Sequence, residues 1–190
     1  MTIKYNNVFI EDAYTICGNY ENDGPLSKYF DKKYAKDLYF GEKSWEQAEV
    51  HLLKEANTNI LKKNKLKEED IDLLISGDLQ NHIAASNYMA REFNIPFLGI
   101  FEACSTSGEG LAIGSTYIEG GFAKRILVST SSHNMAAEKQ FRNPTEYGTP
   151  KPKTATFTST GGVSILLSNK KSKVKVESST IGKVVDMGTT

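Results

Sequence analysis

Apolar residues recur at helical spacing in one long segment of the first half of the chain. They lie three or four positions apart, which places their side chains on one face of a helix. Ser44 followed by Gln47 is the sequence of a capping box in front of this segment. The pattern predicts a helix over about 45 to 64. The residues at this spacing are Trp45, Ala48, Leu52, Leu53, Ala56 and Ile60.

Short apolar runs alternate with helical patterns through the middle of the chain. Residues 71–75 (IDLLI), 97–101 (FLGIF) and 125–130 (RILVST) are typical of buried strands. Helical spacing follows the first run over residues 84–93, and a helix rich in small residues follows the second over 105–119. Because strands and helices alternate, we expect a parallel sheet with right-handed crossovers.

Two β-rich runs lie near the end of the chain, at residues 163–167 and 174–185, with no helical pattern between them. They are predicted to be antiparallel neighbours. Residues 23–41 are polar and aromatic without a clean period, so an irregular arm is predicted over about 1 to 43, lying over a core of about 44 to 190. This arm could equally carry a short helix. The expected fold class is α/β: a single domain of α/β/α layers with a mixed, mostly parallel sheet of about five strands.

Charge is balanced along the chain as a whole, with 23 Lys and Arg against 23 Asp and Glu in 190 residues. This balance disfavours nucleic acid as a partner bound through bulk charge. The balance conceals an asymmetry, because residues 151–190 contain seven lysines against Glu177 and Asp186. The length is sufficient for a core that needs no disulfide or metal. The spacing of Cys17, Cys104 and the three histidines is unlike a zinc site, so we expect no metal and no cofactor.

Neither a signal peptide nor a membrane span is recognisable in the sequence. The first residues, MTIKYNN, precede no apolar stretch, and nowhere do about 18 apolar residues run together. Two cysteines do not form a disulfide framework. We therefore expect a soluble chain in a reducing, cytoplasmic compartment.

Polar residues follow each predicted strand, at residues 77–82, 102–107 and 131–134. Ligands of open α/β sheets bind at the carboxyl ends of the strands, so these segments are expected to converge on one site. Cys104 lies between a strand and the start of a helix, where the helix dipole favours a thiolate. Its position fits either a reactive nucleophile or a small apolar side chain that a tight turn accepts.

Other candidate residues each have a functional and a structural interpretation. His133 is either a base, hydrogen-bond donor or anion contact, or a residue that caps the neighbouring loop. Asp78 is either a ligand contact or a helix cap, and capping is favoured. Arg142 and Tyr147 either close over an acidic ligand or anchor the irregular loop in which they lie.

Several longer motifs together resemble the stage V sporulation protein AD family of spore-forming Firmicutes, whose fold is similar to that of thiolases. The run from Gly120 to Gly148 is the most specific part of this resemblance. The motifs are residues 23–26 (DGPL), 77–79 (GDL), 101–107 (FEACSTS), 120–125 (GGFAKR), 131–134 (SSHN) and 140–148 (QFRNPTEYG).

The resemblance implies a thiolase-like fold of two similar halves, of which this chain is the first. The C-terminal half of the family fold is then absent from the sequence. In thiolase-like enzymes the second half supplies the residues that activate the nucleophilic cysteine. We therefore expect no acyl transfer by this chain, and Cys104 is expected to be a vestige of a catalytic residue.

The resemblance further implies a sporulation protein that binds dipicolinic acid (pyridine-2,6-dicarboxylate), free or as its calcium chelate. Together with other stage V sporulation membrane proteins, it would assist transport of this acid into the developing spore and its release at germination. Its place would be peripheral to the spore inner membrane, and a homodimer is possible for this fold. The ligand-binding residues implied are Cys104, Ser105, Thr106, Asp78, Asn81, His133 and Asn134.

Asp78 fits this set only through calcium, as a hydrogen-bond acceptor, or as support for its loop, because a bare carboxylate repels a dianion. Two alternatives stay open. The first is a condensing or thiolytic acyltransferase with Cys104 as its nucleophile. The second is a scaffold of a spore membrane complex whose lysine-rich tail meets a partner or an anionic surface. The same lysines equally fit the protection of an edge strand.

Overall fold

The computed structural model describes residues 1–141, 154 and 156–188. The predictions for Arg142 and Tyr147, and most of the motif at 140–148, fall outside the described residues. The helices are α1 (Asn19–Asn22), α2 (Trp45–Lys63), α3 (Ala84–Ala90), α4 (Thr106–Glu119) and α5 (Asn134–Phe141). The strands are β1 (Thr2–Lys4), β2 (Phe9–Cys17), β3 (Lys32–Lys33), β4 (Leu73–Gly77), β5 (Phe97–Gly99), β6 (Arg125–Ser132), β7 (Gly161–Ser168), β8 (Val174–Lys175) and β9 (Ser178–Thr180).

The main sheet has seven described strands in the order β3-β2-β7-β6-β4-β5, with β8 beside β2. The prediction of about five strands is therefore wrong. The prediction of an irregular arm over residues 1–43 is also wrong at Phe9–Cys17, because these residues form β2. That strand was missed because Glu11 and Asp12 interrupt its apolar pattern. Arg125 donates to Glu11 at 3.0 Å and Lys63 to Asp12 at 2.9 Å, so both acids are paired in the folded protein.

The sheet is mixed, as predicted, but parallel pairings do not dominate it. In the described residues β4 is parallel to β5 and β6, and β3 is parallel to β2, whereas β7 is antiparallel to β2 and β6. The expected antiparallel pairing of the last two runs is wrong. Instead β8 pairs with β2, and β9 forms a separate two-stranded sheet with β1.

Helices cover both faces of the sheet, which confirms the α/β/α layers. Successive residues of a strand point to opposite faces. Leu74, Leu127 and Leu166 accordingly belong to one apolar cluster with Leu53 and Ile60 of α2. A second cluster lies on the face covered by α4 and contains Ile75, Ile126, Val128, Leu167, Ile100 and Ile118.

Helix α2 begins one residue after Ser44, as the sequence predicts, and the Ser44 hydroxyl accepts the Gln47 N–H at 3.2 Å. On the opposite face, glycine lets α4 approach the sheet closely. A Cβ at Gly110 would lie 2.6 Å from Val128 Cγ1, which is closer than side chains tolerate. Among the described helices, none is both long and apolar enough to cross a bilayer.

Candidate functional site

A cavity of about 530 Å³ opens where the carboxyl ends of β4 and β6 meet the start of α4. The three segments that the sequence predicts to converge each contribute to its wall. They provide Gly77 to Leu79, Ala103 to Ser107 and Thr130 to Ser132, except that Ser105 is not part of the lining. The remaining wall comes from β2, Phe30 and the residues before and within β7: Thr15, Ile16, Phe157, Thr158, Ser159, Gly161, Gly162 and Val163.

Cys104 lies at the mouth of this cavity and is exposed, whereas Cys17 is buried. It is the middle residue of a short 3-10 turn that leads directly into α4. Ala103 in the same turn has a φ of +43°, a left-handed conformation that is uncommon for residues with a Cβ. This tight connection between β5 and α4 presents the thiol to the cavity instead of burying it.

The hydroxyls beside Cys104 hold the turn together. Thr106 is buried, and its hydroxyl donates to the Ala103 carbonyl at 2.8 Å and accepts the Glu102 N–H at 3.1 Å. The Ser105 hydroxyl donates to the Glu102 carbonyl at 2.9 Å. Both residues, predicted to bind a ligand, therefore use their hydroxyls to shape the turn.

Asp78 lines the cavity but acts as a helix cap, which was the favoured structural interpretation. Its two carboxylate oxygens accept the backbone N–H groups of Gln80 at 2.8 Å and Ser86 at 2.7 Å. Ser86 lies in the first turn of α3, so the carboxylate satisfies a free amide at the start of that helix. Burial raises the pKa of Asp78 above its usual value, and these hydrogen bonds partly oppose the rise.

Three other predicted ligand residues lie outside the cavity lining. His133 is fully buried, and its Nε2 lies 2.8 Å from the carbonyl oxygen of Leu38. Burial lowers the pKa of His133, so the neutral ring is favoured. Asn134 donates its side-chain N–H to the Thr158 carbonyl at 2.7 Å. Asn81 is exposed and lines a different groove, between α2 and α3.

The predicted set of ligand residues includes Thr106 but omits other hydroxyl residues that line the cavity, among them Ser107, Thr130 and Ser132. The hydroxyl oxygens of Ser107 and Thr130 lie 2.7 Å apart, and this hydrogen bond joins α4 to β6. Ser132 donates to the Ser159 carbonyl at 2.7 Å. The run of hydroxyl residues at the carboxyl end of β6 is the sequence signal for this part of the wall, whereas His133, which follows it in the chain, is buried outside the lining.

A buried acid behind the cavity was also missed. Glu49 of α2 has no exposed surface, and its carboxylate accepts Gln80 Nε2–H at 2.9 Å and the Ser131 hydroxyl at 3.0 Å. Burial, followed by the charge of Asp78, raises the pKa of Glu49 from 4.5 to about 7. In the sequence Glu49 follows the core residue Ala48 and resembles an ordinary surface residue of an amphipathic helix. The sequence therefore gives no sign that this acid is buried.

Replacing Glu49 by glutamine is expected to stabilise the protein at pH 8 and to change its stability at pH 5 much less. The folded protein holds a proton on Glu49 up to a pH of about 7, whereas the unfolded chain releases it near 4.5. Stability therefore falls as pH rises through this window, by at most about 3 kcal/mol. Glutamine removes this loss, so we expect a gain of about 2 kcal/mol at pH 8 in urea denaturation. The same gain at both pH values would contradict the assignment.

The described lining of the cavity carries hydroxyls, a thiol and one carboxylate, but no lysine, arginine or histidine. Over the described residues, no group of three or more His, Cys, Asp or Glu could hold a metal ion. The site is thus suited to hydrogen bonding by neutral groups. No described lining residue provides an imidazole that could take the proton of Cys104.

The comparison with protein families decides the identity. The family described as stage V sporulation protein AD matches residues 1–190. The chain belongs to the stage V sporulation protein AD family. It is 49% identical over 183 residues to stage V sporulation protein AD of Bacillus subtilis (strain 168). That match covers 96% of this chain but 54% of the relative, so the chain spans about half of the relative's length.

Solved structures place this member of the stage V sporulation protein AD family in the thiolase-like fold. A 3-oxoacyl-(acyl-carrier protein) synthase from Burkholderia xenovorans LB400 superposes with a TM-score of 0.61 at 17% identity, covering 90% of this chain and 51% of that one. An OleA variant from Xanthomonas campestris superposes with a TM-score of 0.56 at 14% identity, covering 87% and 59%. At such identities the likeness concerns the fold alone.

Proposed function

We propose that this sporulation protein binds dipicolinic acid, as the free dianion or its calcium chelate, in the cavity beside Cys104. The observation that carries the proposal is a hydroxyl-lined cavity at the start of α4 in a chain of this family. Its volume of about 530 Å³ lies in the usual range for small-molecule sites. The first amides of a helix and neighbouring hydroxyls are suitable donors to a planar dicarboxylate.

Transport is the wider role that we propose for this binding. The protein would deliver dipicolinate to other stage V sporulation membrane proteins as the spore develops and take part in its release at germination. We also propose a peripheral position at the spore inner membrane, and association as a homodimer. The lysine-rich tail also contributes to the fold. Lys170 forms an ion pair with Glu11 at 3.4 Å, and β8 pairs with β2.

Filling the cavity is expected to abolish dipicolinate binding. Cys104→Trp places an indole at the mouth of the cavity, where Cys104 is exposed and leaves room for the larger ring. Titration calorimetry should give a saturable heat with the wild-type protein and none with this variant. Lys171→Trp, which adds the same ring at an exposed position outside the cavity lining, should bind as the wild type does. No saturable heat with the wild-type protein would refute the proposed function.

One observation favours an acyltransferase as the second candidate. Cys104 is an exposed thiol at a cavity and at the start of a helix, which is the placement that a nucleophile requires. Attack on an acyl thioester would form a Cys104 thioester and release the carrier thiol with the proton of Cys104. The described cavity lining contains no imidazole to take that proton, and this disfavours the enzyme.

Mass spectrometry after incubation with acyl-coenzyme A distinguishes the two candidates. We expect no acyl adduct on Cys104, although iodoacetamide should label it in preference to the buried Cys17. The iodoacetamide reaction confirms that the thiol is accessible in the sample used. An acyl adduct that forms in the wild-type protein and disappears in Cys104→Ser would establish the acyltransferase instead.

A further inference from the structure

Two buried carboxyl groups lie behind the cavity that we propose to hold a dianion. Asp78 forms part of the wall with 2% of its surface exposed, and Glu49 lies deeper with 0% exposed. Gln80 connects them, because its backbone N–H donates to Asp78 at 2.8 Å and its side chain to Glu49 at 2.9 Å. When these carboxyl groups are ionised their charges oppose a bound anion, and the described lining includes no cation that would offset them.

Ser131 connects Glu49 to the cavity. Ser131 is one of the residues that line the cavity, and its hydroxyl donates to Glu49 Oε1 at 3.0 Å. An ionised carboxylate only accepts hydrogen bonds, so the Ser131 proton must then point to Glu49 and the hydroxyl presents lone pairs to the cavity. A protonated Glu49 can donate to the Ser131 oxygen, which frees the serine proton to donate into the cavity.

We propose that Glu49 is a proton-controlled positioning residue: an anionic ligand binds together with one proton on Glu49, and Ser131 then donates its hydroxyl proton to a ligand carboxylate. The proton comes from solvent and no covalent bond between heavy atoms changes. The inference rests on the proposed function and adds that dipicolinate binding takes up a proton.

The charges that face Glu49 favour this protonation. Asp78 and Glu46 both act on it as negative charges, while Gln80 and Ser131 donate hydrogen bonds that favour the ionised form. Glu46 is itself paired with Lys139 of α5 at 3.0 Å. His133, at the end of β6, is buried with a lowered pKa that favours its neutral form. A pKa of about 7 places the protonation of Glu49 near neutral pH, where the ligand remains a dianion.

Calorimetric titration with dipicolinate tests the inference at pH 6 and pH 8. If only the protonated form of Glu49 binds well, the dissociation constant should be about tenfold higher at pH 8. At pH 7.5 the observed heat should differ between phosphate and Tris buffers, whose ionisation enthalpies differ. The difference should correspond to an uptake of about 0.8 proton per ligand.

The variant Glu49→Gln imitates the protonated state, because its amide can donate to Ser131 while its carbonyl accepts from Gln80. It should bind dipicolinate equally at pH 6 and pH 8 and give the same heat in both buffers. Glu69→Gln makes the same change of charge at a surface position and should keep the wild-type dependence on pH and buffer. Ser131→Ala, which removes the donor, should bind more weakly at pH 6 and lose most of the pH dependence.

The outcomes separate this inference from the proposed function. No saturable binding at either pH would refute the proposed function and this inference with it. Binding with equal heats in the two buffers would refute the inference alone. If Glu49→Gln does not fold, a carbon-13 NMR titration of the Glu49 carboxyl in the wild-type protein replaces it. Dipicolinate should then raise the midpoint of that titration, and an unchanged or lowered midpoint would refute the inference.

Discussion

Gly77→Ala is expected to destabilise the protein by at least about 3 kcal/mol and to abolish ligand binding. A Cβ at this position would lie 2.3 Å from the carbonyl oxygen of Ile100 and 2.5 Å from Thr106 Cγ2. The first contact is with backbone that follows β5, so relief requires β5 or the turn before α4 to move. The turn is part of the cavity wall and β5 leads into it. Urea denaturation measures the loss of stability, and dipicolinate titration measures the loss of binding.

Gly108→Ala is the matched control for this prediction. Gly108 lies inside α4, and a Cβ there would meet nothing within 4 Å. Because glycine is unfavourable in a helix, alanine should stabilise the protein by about 0.5–1 kcal/mol. Equal urea midpoints for the two variants would show that the close approach at Gly77 is not required.

Asn57→Ala is expected to cost about 3 kcal/mol of unfolding free energy. Asn57 is fully buried on α2, where its Nδ2 donates to Ser129 Oγ at 3.2 Å and its Oδ1 accepts the Ser164 hydroxyl at 2.7 Å. Alanine removes the hydrogen-bond partner that α2 offers to these hydroxyls of β6 and β7. It also leaves a cavity between the helix and the sheet. Thermal and urea denaturation should report the loss.

The control is Asn59→Ala on the same helix, where the side chain is only partly buried. That change removes the same atoms and should alter stability by less than about 0.5 kcal/mol. A loss at position 57 no larger than at position 59 would mean that the buried hydroxyls find other partners.

The central helix and the parallel strands were predictable because their patterns are local. The capping residue Ser44 and the apolar spacing after it locate α2 to within a residue of its observed end. Asn57 lies four residues after Leu53 and three before Ile60, so its place on the buried face was also readable. The sequence did not show which hydroxyls on distant strands would meet it.

The candidate site was predictable as a region but not as a set of side chains. Strand ends and the turn at Cys104 indicate the correct edge of the sheet, because parallel strands bring their carboxyl ends together. His133 is one residue beyond the lining residue Ser132, yet its ring is fully buried and lies against the Leu38 carbonyl. Such differences depend on the direction of each side chain, which no spacing rule fixes at the end of a strand.

By itself the sequence determined the alternating strands and helices, the cap of α2, the strand-to-helix turn that carries Cys104 and the motifs of the family. Each of these depends on residues that are close together in the chain. Only the tertiary structure decided that β2 lies within the sheet, that β7 runs antiparallel between β2 and β6, and that Glu49 lies buried behind Ser131. The physical reason is that these features depend on residues far apart in the sequence. Arg125 forms an ion pair with Glu11, and packing of α2 against the sheet buries Glu49. In the local sequence both acids resemble ordinary surface residues.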